Sequence, residues 1–265
     1  RIKGDFHYYI NANVSYSKNK IIFQDEIEPN ETYLWRTGQP VGSIFGYVAD
    51  GFYGEEDFTN GGVLKDGLPV PDADVQPGDI KYKDLNNDHV INEDDQCKIG
   101  HPTRPSYTFG LNYGADYKGF FFSMNWTGAA ERSLLLEEFF RIPFGINSNN
   151  ALMQFHADNR WTPETAGSAT VPRFATKTIT HNSKTSSLWV KNGNYLKLKT
   201  VTLGYNFRNV AALKKIGISE LAIKLSGYNL LTLDKFKIMD PECTPGLTDS
   251  YPINKIYNLG VNITF

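Results

Sequence analysis

Residues 106–117, SYTFGLNYGADY, place Tyr107, Phe109, Leu111 and Tyr113 on one side of an extended chain and Thr108, Gly110, Asn112 and Gly114 on the other. Period-two alternation of this kind marks a strand with one apolar face. The next stretch repeats it, with Phe120, Phe122, Met124 and Trp126 opposing Ser123, Asn125 and Thr127. Lys118-Gly119 between them reads as the tight turn of a hairpin. Further on, Val201, Leu203, Tyr205 and Phe207 oppose Thr202, Gly204 and Asn206, and Leu221, Ile223 and Leu225 oppose Ala222, Lys224 and Ser226. At the end, Tyr257, Leu259, Val261, Ile263 and Phe265 oppose Asn258, Gly260, Asn262 and Thr264. Near the start, Phe6, Tyr8 and Ile10 already alternate with polar neighbours, and SKNK reads as a turn into a second strand.

Seven strands are therefore predicted, near 6–17, 20–28, 106–117, 119–129, 194–207, 219–231 and 254–265. The links alternate in length. Short ones fall at 18–19, 118 and 208–218, and long ones at 29–105, 130–193 and 232–253. A membrane-spanning barrel shows this alternation, with tight turns at one rim and large loops at the other. Compact soluble domains seldom carry long structureless loops. Phe120, Trp126, Tyr195, Phe207, Tyr257 and Phe265 suit interfacial girdles or, equally, the core of a sandwich. Seven strands cannot close a bacterial barrel, whose strands are even in number and at least eight. The expected fold is all-β, with residues 1–265 forming the C-terminal part of a large antiparallel transmembrane barrel, as a fragment or processed piece. Residues 131–141 and 151–161 have helical spacing, with Pro163 just past the second, so short helices are expected within the link 130–193.

Composition acts mainly by exclusion. Net charge is −2 over 265 residues, so there is no basic footprint for nucleic acid. Mean hydropathy is −0.39. No run of 18 apolar residues occurs, which excludes a helical membrane span but not strands that average out as polar. Cys97 and Cys243 are far apart in sequence, and their spacing allows either a disulfide or two free thiols.

The segment DLNNDHVINEDD, 84–95, has the oxygen spacing of a calcium loop. Asp84, Asn86 and Asp88 take its first, third and fifth positions, Val90 offers a carbonyl, Asn92 acts directly or through water, and Asp95 closes the loop. His89 stands where the sharp turn prefers glycine. No flanking helices follow, so a structural calcium (or magnesium) site bracing the long link 29–105 is expected rather than a sensor. The alternative is an Asx-rich turn that binds nothing.

Catalytic patterns are missing from the sequence. His7, His89, His101, His156 and His181 form no HExxH and stand at no zinc spacing from a cysteine. Ser106 and Ser226 lack a nucleophile-elbow context, and Glu137 and Glu138 read as the solvated face of a helix. No enzyme activity is expected. The competing reading is a secreted, calcium-stabilised β-sandwich that binds glycan through Trp35, Trp126, Trp161 and Trp189. The apolar face of the 107–126 hairpin separates the two readings: a sandwich buries it under a second sheet, and a barrel turns it to lipid.

Several segments, in this order, resemble the C-terminal portion of the SusC/RagA family of TonB-dependent outer-membrane transporters of Bacteroidota. They are GSIFGYVADGFY (42–53), PGDIKYKDLNNDHVINEDD (77–95), IGHPTRPSYTFGLNYGADYKGF (99–120), RWTP (160–163), NYLKLKTVTLGYNF (194–207), LSGYNLLT (225–232), DPE (240–242) and GVNITF (260–265). Asn258, Gly260, Ile263 and Phe265 fit a pattern similar to the insertion signal read by the barrel-assembly machinery. The resemblance implies an outer-membrane location and long links facing outward. It also implies a 22-stranded barrel, a SusD-like lipoprotein lid, and a plug and TonB-contacting segment upstream. It further implies import of oligosaccharides or peptides. Arg141, Trp161, Arg173 and Trp189 are then candidate cargo contacts, and the DPE stretch is expected to shape the last outer loop.

Overall fold

The computed structural model describes residues 5–144, 152–208, 210–242 and 253–265. Cys243 and the start of the expected helix at 151–161 lie outside the described residues. One six-stranded sheet dominates. Its strands are β1 (Phe6–Tyr16), β2 (Tyr107–Tyr117), β3 (Phe120–Ala130), β4 (Tyr195–Arg208), β5 (Glu220–Asp234) and β6 (Ile256–Thr264). Each pairs with the next in chain order, and every pairing is antiparallel.

The register brings like faces together. Leu111 lies opposite Ala12 and Trp126, Leu203 opposite Phe122 and Leu225, and Leu225 opposite Leu259. This apolar face is open: Ile10 is 65 % exposed, Leu225 54 % and Leu259 71 %. Among the described residues no second sheet covers it, which removes the sandwich reading. An apolar band this wide is stable only against a partner or hydrocarbon. The opposite face is polar. Asn11, Asn112, Asn125 and Thr200 form one row across four strands, and the Asn125 amide donates to Asn112 Oδ1. Tyr9 and Phe121 also point to this side and lie flat over Gly114 and Gly204. A Cβ there would come within 2.7 and 2.2 Å of the rings, so only glycine fits.

β2 and β3 are joined by Lys118-Gly119, both at positive φ (47° and 95°), the two-residue turn that matches strand twist. The expected strand at 20–28 is not formed. Its apolar residues are contiguous rather than alternating, and among its described backbone groups only those of Ile21 bond across, to Gln39 and Gly38. β1 instead pairs directly with β2, across the whole excursion 17–106. Six strands replace the seven expected. They are still too few to close, and both edges remain open.

The packed core lies outside the sheet. Tyr47, Ile80, Tyr82, Ile91, Leu134, Leu136, Phe140, Val171, Trp189 and Phe236 form one buried cluster drawn from all three long links. Short ladders organise it: Ile44–Tyr47 with Gln96–Gly100, Ala49–Phe52 with Ile80–Tyr82, and Val70–Pro71 with Val90–Ile91. The expected helix at 131–141 is only a turn, Glu138–Arg141. Before it, Ser133–Leu135 is a strand paired with Val190–Asn192. Burial of Leu134 and Leu136 in the cluster outweighs the local helical spacing. A second helix, Gln154–Asn159, falls inside the expected segment.

Candidate functional site

The link after β5 is fastened to the polar face of β4. The Lys197 side chain is 1 % exposed and meets both Asp240 and Glu242, with Nζ 3.0 Å from Glu242 Oε2. The register jumps from Leu198 to Thr200, leaving Lys199 in a bulge. The bulge turns a second ammonium to the same side, and Lys199 Nζ donates to Glu242 Oε2. The Tyr195 hydroxyl donates to Glu242 Oε1 at 3.2 Å. Arg132, itself buried, donates through Nη1 to the Pro241 carbonyl at 2.9 Å. Burial alone would raise the Glu242 pKa. Hydrogen bonds from Lys199 and Lys197, and the charge of both, outweigh it and hold the carboxyl below its ordinary value. All three residues of Asp240-Pro241-Glu242 are thus anchored.

Arg141, Arg173 and Trp189, each singled out in the sequence, line one cleft with Lys177, Phe174 and Ile179. Trp189 is buried and donates Nε1–H to the Asn182 carbonyl at 2.8 Å, so it serves as a wall. Arg173 is paired: its Nε lies 2.7 Å from Asp79 Oδ1 and its Nη2 3.0 Å from Oδ2. Asp79 is fully buried and also accepts from Gln76 N and Asn182 Nδ2. Trp161 is elsewhere, its ring packed on Gly78, where a Cβ would sit 2.4 Å from it. It borders a broad, shallow hollow with Phe52, Glu55 and Glu56.

In the 84–95 loop, Asp84 accepts from the amides of Asn87 and His89, and Asp88 from that of Val90. Asp95 is buried and accepts from Leu85 N at 2.7 Å and Asn92 N at 2.9 Å. Asn92 caps the turn at Glu93–Asp95 through Asp94 N. Asn87 and His89 adopt positive φ, 62° and 64°, so His89 makes the turn that glycine usually makes. The donor set suits a hard cation in kind, being oxygen throughout. Its carboxylates are turned to backbone amides, and among the described residues no three His, Cys, Asp or Glu groups converge.

Two histidines are structural. His156 Nδ1 accepts from Met153 N at 3.2 Å and its Nε2 lies 2.7 Å from the Phe140 carbonyl, which requires the Nε2–H tautomer. His181 Nε2 lies 2.7 Å from the Ile80 carbonyl, while its buried Nδ1 has no partner among the described residues. Burial holds both below the ordinary histidine pKa.

No protein-family model matches the chain. Among curated proteins it is 28 % identical over 286 residues to TonB-dependent receptor P3 of Formosa agariphila, covering 98 % of this chain and 27 % of that protein. It is 30 % identical over 201 residues to TonB-dependent receptor P26 of the same organism, covering 71 % of this chain and 20 % of that one. Its fold matches the RagAB peptide importer in the open-open state with a TM-score of 0.68 at 19 % identity, covering 100 % of this chain and 27 % of that one. A second structure of the RagAB peptide transporter gives 0.68 at 20 % identity, covering 98 % of this chain and 27 % of that one.

The chain is part of a TonB-dependent receptor.

It spans between about a fifth and just over a quarter of the length of these relatives. The exposed apolar face is the lipid-facing wall of an outer-membrane barrel, and the polar face lines the lumen. In this receptor Asn258 and Gly260 lie on the lumenal side of β6, opposite Ser226 and Lys224, and Ile263 lies on the lipid side opposite Leu221. Phe265 follows the strand and is 84 % exposed. Lys197, Lys199 and Asp79 escaped the sequence reading. The four charged residues of NYLKLK and DPE offered a signal, but nothing local joined them.

Proposed function

We propose that this receptor imports oligosaccharides or peptides across the outer membrane, energised by TonB through a segment upstream of this chain. A SusD-like lipoprotein closes the outer mouth. The three long links 17–106, 131–194 and 235–255 face the cell exterior and form the floor on which cargo and lid meet. The observation that carries this reading is the division of labour in the chain: a lipid-facing sheet with no core of its own, and a packed body built wholly from the links at one rim. The names of the receptor relatives and of the RagAB importer support it. The chain binds rather than catalyses in this reading. Fluorescent oligosaccharides and peptides offered to wild-type, receptor-deleted and TonB-depleted cells test it. Uptake of one class should vanish in both mutants; undiminished uptake of both classes in the deletion would overturn it.

Two further parts belong to the proposal. Asn258, Gly260, Ile263 and Phe265 serve the barrel-assembly machinery, and Phe265→Ala should lower the amount of folded receptor in the membrane; an unchanged amount would remove that role. The 84–95 loop takes calcium (or magnesium) as a brace when its carboxylates turn from the backbone amides. The ion would supply cross-linking charge there and no chemistry.

A further inference from the structure

We infer that the cleft bounded by Arg141, Arg173, Lys177 and Trp189 is a binding site for a single carboxylate group carried on an apolar residue. Its charge is unbalanced. Arg173 is neutralised by Asp79, yet none of the described residues lining the cleft is acidic. Arg141 spends one nitrogen, Nη1, on the Ser183 carbonyl at 2.8 Å and the Thr185 hydroxyl at 3.5 Å. Its Nε is buried and has no partner among the described residues. No ion pair joins Arg141 or Lys177 to a carboxylate among the described residues. Arg141 is half-buried, and its bonds among the described residues go only to neutral oxygens, so its five N–H donors are left short of partners unless an anion completes them. Its planar fork matches a carboxylate in two-point contact. Lys177, exposed at the lip, adds a second positive charge.

The rest of the lining selects the neighbour of that carboxylate. Ile142, Val171, Phe174, Ile179 and Trp189 offer apolar walls and few hydroxyl partners. The open space is small, about the room of one water molecule, so at most the carboxylate enters and the residue that carries it lies at the lip. The C-terminal carboxylate of a peptide ending in an aliphatic residue meets these demands better than a uronate, whose ring brings hydroxyls the walls cannot satisfy. That the carboxylate belongs to cargo rests on the import reading above; that the cleft holds one does not.

The test is binding to the purified full-length receptor in detergent, which needs neither TonB nor transport. N-acetyl-leucine, its C-terminal amide and glucuronate are titrated in turn. N-acetyl-leucine should bind, the amide at least about tenfold more weakly, and glucuronate more weakly than N-acetyl-leucine. Lys177→Ala, at an exposed position, should weaken N-acetyl-leucine severalfold with the fold intact, and Arg141→Gln should weaken it further. Equal binding of acid and amide, or no effect of either variant, would overturn the site. Tighter binding of glucuronate would keep the anion site and overturn the apolar, peptide-like neighbour. Binding without a peptide-uptake defect in cells would leave the site standing and remove its link to cargo.

Discussion

The clamp between β4 and Asp240-Pro241-Glu242 makes a ranked expectation. Consider three variants: Glu242→Gln, Lys197→Met, and Asp240→Asn with Glu242→Gln together. The double variant leaves the Lys197 ammonium, 1 % exposed, with no counter-charge. Breaking a buried pair in this way costs about 3–5 kcal/mol. Water reaches the carboxylate side of the clamp, where Asp240 and Glu242 are 18 and 19 % exposed, so the lower end applies. Lys197→Met removes the buried charge itself. Glu242 keeps Lys199, and only Asp240, able to rehydrate, is orphaned, for a loss of about 1–2 kcal/mol. Glu242→Gln leaves Lys197 with Asp240 and should cost least. The assay is hydrogen–deuterium exchange of the 236–242 peptide in the full receptor, since local opening is read there without unfolding the barrel. At 1.36 kcal/mol per tenfold, exchange should accelerate about a hundredfold in the double variant and about tenfold in Lys197→Met. A double variant no faster than Lys197→Met would refute the reasoning, because it would mean that the ammonium is not desolvated.

Other consequences follow from the same geometry. Leu225→Arg places a charge between Leu203 and Leu259 on the lipid face, and should destabilise the receptor in bilayers by about 2–4 kcal/mol, whereas Thr202→Arg on the lumenal face should not; urea unfolding in lipid vesicles compares the two, and equal losses would count against the assigned faces. Asp84→Ala with Asp88→Ala should lower the calcium or magnesium content of the purified receptor and expose 84–95 to protease; unchanged metal content would dismiss the ion, leaving the loop braced by its own Asx turns. His156 and His181 are buried with lowered pKa, so the unfolded chain takes up their protons first as pH falls below 6.5, and stability present above that value is lost. Proteolysis of the link body should therefore quicken between pH 7 and pH values below the histidine range, and pH-independent cleavage would argue against neutral, buried rings. Glu242 acts lower: its pKa is depressed, so the clamp's stabilisation is complete above the ordinary carboxylate value of 4.5 and is lost as pH falls below it. Exchange at 236–242 should accelerate there, and the Glu242→Gln variant should not show this step.

What the sequence made legible was decided by how local the physics is. The 107–130 hairpin could be read because alternation, turn residues and register are all settled within a few positions. The segment 20–28 misled because β-branched and aromatic residues sit there without alternation, and β1 found a better partner in Tyr107–Tyr117, far along the chain. Residues 131–141 carried helical spacing, yet Leu134 and Leu136 are claimed by a cluster whose other members come from distant links. The DPE stretch stood out as a motif, but Lys197 lies 43 residues from Asp240, and nothing short-range joins them. Arg141, Arg173 and Trp189 were noticed one by one. That Asp79, 94 residues away from Arg173, cancels one charge and leaves the other free is a fact of tertiary structure alone.

The central claim is that this sheet stands in the outer membrane with one face to lipid and the other to the lumen. The most direct test places single nitroxide labels at positions 221 to 226 of β5 in the full-length receptor, in native outer membranes, and compares collision with oxygen and with a water-soluble nickel chelate. Leu221, Ile223 and Leu225 should favour oxygen, and Ala222, Lys224 and Ser226 the chelate, alternating residue by residue. Uniform access of the chelate to all six positions would contradict the account.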